Sequence, residues 1–342
     1  MWGGFKRWGH FLLSFMLALL LLFEIYIFII VYTEGNAPLP ANIGNFERVR
    51  ALLVDDEQRE EFSFAVVGDP SGTETFEQIA YALQNEPLSF MVLLGDCVRK
   101  GTVDYHRFFR CEWAEELPLP FPVFYVVGNH DIDRERFPIS QFEELYGPTN
   151  FSFAYHECLF IVLRILPKPY STKESLVFLE PLLSACRHNY EKVFVFMHIP
   201  PPVLSDFSAR SFDNAEELVA LFNRFYVDYV ITGDYHGYAR VKIKNTTYIV
   251  TGGGGGQLER HKFGKFHHAV IIKVGPHSVS EQILQVNSTG GIEDTIEQSI
   301  LAEAYPWIKG NLVLTILINA IIVGSLFWAV RGFLNYRRKS RV

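Results

Sequence analysis

Uninterrupted apolar runs, rather than strict alternation, dominate the middle of this chain. Residues 62–67, 90–94, 123–127, 193–197 and 229–231 each read as a strand buried on both faces. Further strand-like runs fall at 151–155, 159–163, 240–244, 248–251 and 269–273. Between them the polar and apolar positions predict helices over 73–84, with Ser71 or Thr73 as the cap, and over 103–113 and 214–225. A fourth helix is predicted over 171–187, interrupted by Pro181. This alternation predicts an α/β domain over 62–286, with no internal repeat. Residues 33–61 hold Pro38, Pro40 and a charged stretch and read as a membrane-proximal linker or short helix; 287–310 reads as a second linker.

The two ends follow another pattern. Residues 11–32 are apolar except for Ser14 and Glu24, and 311–330 form a second apolar run, each long enough to span a bilayer as a helix. The first run is long for a signal-peptide core, and no small-x-small cleavage site follows it, which favours an uncleaved anchor. A carboxylate near mid-bilayer is unfavourable on a lone helix, so Glu24 is expected to face the partner helix or a polar group such as Asn319. Lys6 and Arg7 precede the first run, and Arg331, Arg337, Arg338, Lys339 and Arg341 follow the second. The positive-inside rule then places the tails 1–10 and 331–342 in the cytoplasm and everything between the spans on the opposite side, in periplasm, exterior or lumen.

Charge sharpens this picture. The 342-residue chain carries −7, but between the spans 24 basic side chains face 37 acidic ones, a net of −13. An acidic domain of this kind argues against nucleic acid or an anionic membrane surface as partner. Cys97, Cys111, Cys158 and Cys186 all lie in the same domain. An oxidising compartment permits disulfides there, and Cys97–Cys111 is the favoured pairing by its short span. Sequons begin at Asn150, Asn245 and Asn287 and carry weight only in a glycosylating host.

The candidate chemistry sits where the apolar runs end. Val67-Gly68-Asp69, Leu94-Gly95-Asp96, Val127-Gly128-Asn129-His130-Asp131, Phe196-Met197-His198 and Ile231-Thr232-Gly233-Asp234-Tyr235-His236 follow five successive runs. Residues at the carboxyl ends of such strands converge on one edge of a sheet. Carboxylates, an amide and imidazoles gathered there make a mixed oxygen–nitrogen site of the Mn, Fe or Zn type. Two such ions about 4 Å apart can clamp both oxygens of an in-line phosphoryl displacement.

On these five elements, over roughly residues 62–286, the chain resembles the calcineurin-like metallophosphoesterase superfamily, including its purple acid phosphatase branch. The Gly-Asn-His-Asp segment at 128–131 is the most specific part of the match. The resemblance implies a fold of two packed mixed β-sheets flanked by helices, a four-layer sandwich. It implies two divalent metal ions, with Asp96 bridging both. Asp69 and His236 match ligands of the first; Asn129 and His198 match ligands of the second. His130 matches the imidazole over the phosphate, acting as general acid or charge stabiliser, with Asp131 orienting it. The reaction implied is attack of a metal-activated hydroxide on a phosphomonoester or phosphodiester, a lipid-linked ester being one candidate.

Two departures qualify the match. Asp-x-His is usual at the first motif, whereas this chain reads Asp69-Pro70-Ser71, leaving Ser71 or a water to stand in or to meet the substrate. The purple acid phosphatase branch places Tyr three residues beyond the bridging Asp, and that position is Arg99. Arg99 is either a substrate-phosphate contact or a solvated loop charge. The last motif carries Asp234 in place of the usual His, and a carboxylate is a competent ligand. Gly252–Gly256 read either as a flexible loop or as backbone passing close to the site. His106, His156, His188 and His261 read as surface or packing residues, while His267 or His268 could approach the site. A degenerate, non-catalytic scaffold or sensor is the alternative to an enzyme.

Overall fold

A computed structural model describes residues 2–34, 38–44, 46–53, 60–72, 74–117, 119–203, 212–258, 266–287 and 293–339. The chain divides into two compact units, 37–295 and the combination of 1–36 with 296–342. In the larger unit the apolar runs become strands β1 (Phe62–Val67), β2 (Phe90–Leu93), β3 (Val123–Tyr125), β4 (Phe151–Tyr155), β5 (Cys158–Val162) and β6 (Lys192–Met197). They continue as β7 (Tyr229–Thr232), β8 (Tyr238–Ile243), β9 (Thr246–Thr251), β10 (His267–Val274) and β11 (Val279–Val286). One sheet runs β11-β10-β1-β2-β3 and the other β4-β5-β6-β7-β9-β8. β1, β2 and β3 are parallel, as are β5, β6, β7 and β9, with antiparallel strands at the margins.

Successive side chains of a strand point to opposite faces, and here both faces find a core. From β5 and β6, Phe160, Phe194 and Phe196 turn inward to meet Phe64, Phe90 and Phe124 of the other sheet. Ring pairs join the sheets, with Phe124–Phe153 stacked at 4.2 Å and Phe90–Phe160 edge-on at 5.1 Å. The alternate residues Leu159, Ile161, Val193 and Val195 turn outward, beneath Leu179 and Leu183 of the Lys173–Cys186 helix and Leu218 and Phe222 of the Ala215–Arg224 helix. The expected α/β sandwich of two mixed sheets flanked by helices is therefore present.

Several expectations need correction. Pro181 does not interrupt its helix. It lies on the exposed face, and Val177, whose carbonyl loses its intrahelical donor, is 65% exposed and open to water. Within the stretch read as a linker or short helix, a short helix is present at Phe46–Arg50. Ile43 bridges to Val123, Phe46 lies 4.5 Å from the Phe151 ring, and Val49 is in the core, so this segment seals one end of the sandwich. The stretch read as the linker 287–310 is largely helical, with Glu293–Ser299, a π-helical turn at Ile300–Ala304 and Tyr305–Gly310. The Cys97–Cys111 disulfide is not formed, and all four cysteines are thiols.

In the smaller unit, helices Trp2–Glu34 and Leu312–Lys339 pack together. Their segments Phe11–Ile29 and Leu312–Gly332, of mean hydropathy 2.6 and 2.3, are long and apolar enough to cross a membrane. As expected, Glu24 meets Asn319, whose amide Nδ2 donates to Glu24 Oε2 at 2.7 Å. In an apolar surrounding this bond stabilises the pair by about 1 kcal/mol. Asn319→Leu is expected to weaken helix pairing by that order. Reduced yield of an engineered disulfide between the helices, in full-length protein in bilayers, is the measurement that checks it.

Candidate metal centre

Because parallel strands share one direction, the carboxyl ends of β1, β2 and β3 open on one edge of their sheet, and those of β6, β7 and β9 on one edge of theirs. Asp69, Asp96 and Asp234 each follow a glycine and turn back sharply, with φ of 59, 53 and 66°. That left-handed region is uncommon for residues with a Cβ, though Asp tolerates it better than most. It aims three carboxylates into a common buried space. The backbone there is crowded, since a Cβ on Gly128 would lie 2.2 Å from Asp96 Oδ1 and one on Gly252 2.7 Å from Asp69 Oδ2. The Gly252–Gly256 run is not a loose loop. Gly254 N–H donates to the Gly68 carbonyl and Gly256 N–H to the Asp69 carbonyl, both at 2.8 Å.

His198 stands at the centre and is fully buried. Its Nδ1 lies 2.7 Å from the Leu94 carbonyl, which can only accept, so Nδ1 carries the hydrogen and Nε2 faces the cluster. Nε2 lies 3.3 Å from Asp96 Oδ2, 3.2 Å from Asn129 Oδ1 and 3.7 Å from Asp234 Oδ1. Across the space Asp69 Oδ2 accepts the Asp234 N–H at 2.9 Å. His236 gives Nδ1 to the Gln257 carbonyl and turns Nε2 to within 3.5 Å of Asp69 Oδ1. Ligand atoms of Asp69, Asp96 and His198 all lie within 4.8 Å of one another.

The electrostatics are unbalanced without a cation. Burial pushes the Asp69 carboxyl above its ordinary range. Burial acts the same way on Asp96, but the charge of His198 overrides it and holds Asp96 low. His198 in turn resists burial and is held well above the usual imidazole value, chiefly by Asp96. His236 and His198 act in the opposite sense on Asp69, but burial outweighs them. Asp69 Oδ1 is buried and has no hydrogen-bond partner among the described residues. A buried acceptor of that kind is unfavourable by kilocalories unless something binds it. Oxygen donors with two imidazoles and an amide fit divalent ions of the Mn, Fe or Zn type.

His130 lies on the open side, its side chain 51% exposed and Nε2 3.9 Å from Asp96 Oδ2. Its Nδ1 meets the Arg99 carbonyl at 3.0 Å, not Asp131 as the resemblance implied. Asp131 is buried and spent on the backbone. Its Oδ2 accepts the Asp96 and Gly128 N–H groups at 2.9 and 2.7 Å. Its Oδ1 accepts the Cys97 and Val98 N–H groups and the Tyr125 hydroxyl. Asp131 therefore braces the Asp96 turn against the Asn129–His130 turn. Arg99 serves His130 through its main chain, while its side chain is exposed.

Ser71 donates its N–H to the Asp96 carbonyl at 3.0 Å, and its hydroxyl lies against Gly256, as does the His236 ring. It is not brought onto the carboxylates. His268 is buried against Thr251 Oγ1 at 3.0 Å, away from the cluster, and burial lowers its pKa to about 4. Half-buried His267 has its pKa lowered by burial, and its Nδ1 lies 3.3 Å from the Gly253 carbonyl in the glycine run. His106, read as a packing residue, has a second role. Its Nε2 donates to the Asp131 carbonyl at 2.7 Å, its Nδ1 accepts from the Tyr146 hydroxyl at 2.9 Å, and its ring stacks on Phe137 at 4.0 Å. No spacing signal announces it, because its partners lie 25 and 40 residues away.

Comparison with known proteins agrees with this geometry. The family model for calcineurin-like phosphoesterases matches residues 62–238. Among solved structures, GAP50, described as the anchor in the inner membrane complex of Plasmodium, superposes with a TM-score of 0.52 at 16% identity, over 68% of this chain and 87% of its own. A purple acid phosphatase from yellow lupin seeds gives 0.52 at 16% identity, over 67% and 53%. A dimetal phosphatase from Danio rerio gives 0.51 at 14% identity, over 66% and 99%. At these identities the likeness is one of fold. A search of curated proteins finds no match.

Burial lowers the His106 pKa from 6.5 to about 4. Across that window the unfolded chain takes up a proton that the folded one refuses, so His106 withdraws stability as pH falls and adds no further loss below about 4. A tenfold change in proton affinity corresponds to about 1.4 kcal/mol. His106→Gln is expected to flatten the acid limb relative to the parent between those values, read by urea titration of the full-length protein at a series of pH.

Proposed function

The chain belongs to the calcineurin-like phosphoesterase family, and on that footing we propose that it is a membrane-anchored, metal-dependent phosphoric ester hydrolase facing away from the cytoplasm. The observation that carries this reading is the buried Asp69 Oδ1, lacking a hydrogen-bond partner among the described residues, within a cluster more negative than its imidazoles neutralise. In this reading Asp69 and His236 would hold one divalent ion, Asn129, His198 and Asp234 would hold the other, and Asp96 would be available to both. When bound, such ions supply Lewis acidity to a phosphoryl oxygen and ease deprotonation of an attacking water.

The remaining tasks belong to the protein. His198 keeps Nε2 pointed inward because Nδ1 is committed to Leu94. Asp131 fixes the two turns that carry Asp96, Asn129 and His130, which makes it a positioning residue. With Nδ1 held by the Arg99 carbonyl, His130 presents Nε2 to the leaving oxygen as a proton donor. The Arg99 and Ser71 side chains are assigned to the substrate's phosphate oxygens. The flanking basic residues support cytoplasmic tails and an extracytoplasmic domain. Tethering at both ends favours a lipid-linked phosphate ester, with a soluble phosphomonoester as competitor.

A second reading has its own support. The fold is shared with GAP50, described as an anchor, and Ser71 occupies the position of a usual His ligand. A scaffold of this type would bind fewer than two ions tightly. Elemental analysis of detergent-purified protein, paired with hydrolysis of an aryl phosphate and its diester, separates the two. The enzyme reading expects close to two ions per chain and activity abolished by a chelator. It further expects losses of about 100-fold or more in Asp96→Asn and about 100- to 10,000-fold in His130→Ala. One ion or none, with no turnover after Mn, Fe or Zn is restored, would sink it.

A further inference from the structure

The loops after β2 and β3 carry three arginines, and the chemistry above uses only Arg99. Arg99, Arg134 and Arg136 are exposed, and among the described residues none lies within ion-pair distance of a carboxylate, though the charge of Arg136 acts on Asp133 of its own loop. Elsewhere in the domain Arg107, Arg164, Arg187, Arg224 and Arg240 each engage a carboxylate. Three such arginines on two loops contrast with a region of 24 basic and 37 acidic residues.

The two loops are in contact. A Cβ on Gly101 would lie 2.3 Å from the Ile132 carbonyl carbon, and His130 Nδ1 reaches the Arg99 carbonyl. Beyond His130 the chain closes a tight loop. Asp133 and Phe137 exchange both main-chain hydrogen bonds, and Asp133 Oδ1 accepts the Glu135 and Arg136 N–H groups at 3.0 and 2.9 Å. The loop is anchored from below by Phe137, whose ring stacks on His106. Arg134 is held as well. Its Nη2 donates to the Pro169 carbonyl at 3.1 Å, and its guanidinium lies 5.6 Å over the Tyr170 ring. Its Cα is no more than about 14 Å from that of His130, and Pro169 and Tyr170 follow β5, whose carboxyl end opens on the same edge as those of β6 and β7.

Resting on the phosphoesterase reading, we propose that Arg134 and Arg136 form a second anion subsite. It takes a phosphate carried by the leaving group while the scissile phosphate lies at the carboxylate–imidazole cluster. The substrate class is then a diphosphate or bisphosphorylated compound rather than a simple monoester. A guanidinium held in place by a carbonyl and an aromatic face keeps its other N–H groups for a bidentate oxyanion. Glu135, exposed between the two arginines, and Asp133, occupied by main-chain donors, are the acidic groups of the same loop. Both disfavour a broad attraction to anionic surfaces and leave a localised site.

The test is equilibrium titration of Mn-loaded, full-length protein in neutral detergent with propane-1,3-bisphosphonate and with propylphosphonate. Neither ligand has a hydrolysable ester, so binding is read without turnover. The bisphosphonate is expected to bind at least about tenfold more tightly, a difference of about 1.4 kcal/mol. Arg134→Gln with Arg136→Gln should remove most of that preference, and Arg134→Lys with Arg136→Lys should restore part of it. Equal affinity for the two ligands, or a preference that survives the Gln pair, overturns the second subsite alone. Failure of both ligands to bind overturns the metal-site reading and the subsite with it.

Discussion

Everything at the strand ends depends on holding Asp69, Asp96 and Asp234 together away from water. Two like charges about 4 Å apart repel by about 4 kcal/mol at the effective dielectric of a protein. The fold bears that repulsion with main-chain geometry. Left-handed turns aim the carboxylates, hydrogen bonds to N–H groups fix Asp69 and Asp96, and the glycine run after β9 packs directly against Gly68 and Asp69. These devices hold the charges in place without neutralising them. The sandwich behind them is correspondingly rigid, with aromatic rings from both sheets filling the space between.

The strands that matter most are legible in the sequence for a physical reason. A strand buried on both faces must be apolar throughout, so β1, β2, β6 and β7 are visible and their ends mark the candidate ligands. β11 is not, because an edge strand with Glu281, Gln282 and Gln285 offers no apolar run. The segment before β1 resembles a linker because charged stretches obscure the few residues, Ile43, Phe46 and Val49, that pack against the sandwich. Pairings across long separations are hidden in part. Glu24 and Asn319 can be matched because a bilayer leaves a carboxylate few partners. Asp131 and His106 cannot, because many main-chain groups are equally eligible to meet them.

The difference between resemblance and structure is sharpest at Asp131. A residue adjacent to His130 in the chain is naturally taken as its orienting group. Instead its carboxylate gathers four main-chain N–H groups and a tyrosine hydroxyl, and the imidazole is oriented by a carbonyl from the neighbouring loop. A carbonyl makes an imidazole a fixed donor at Nδ1 without adding a charge beside it. The Asp131 carboxylate is directed to the placement of Asp96, so the two turns are tied to each other.

The left-handed carboxylates have a consequence for descent. Asp69, Asp96 and Asp234 are each more strained than glycine would be at the same φ, and each adds repulsion that asparagine would not. Stability alone would exchange Asp69 first, since burial outweighs its partners, whereas Asp96 is held by His198. A lineage released from whatever this site does should lose them early, while the phenylalanine core, favoured for folding itself, persists. The strand ends are in that sense the part of the molecule that folding by itself favours least.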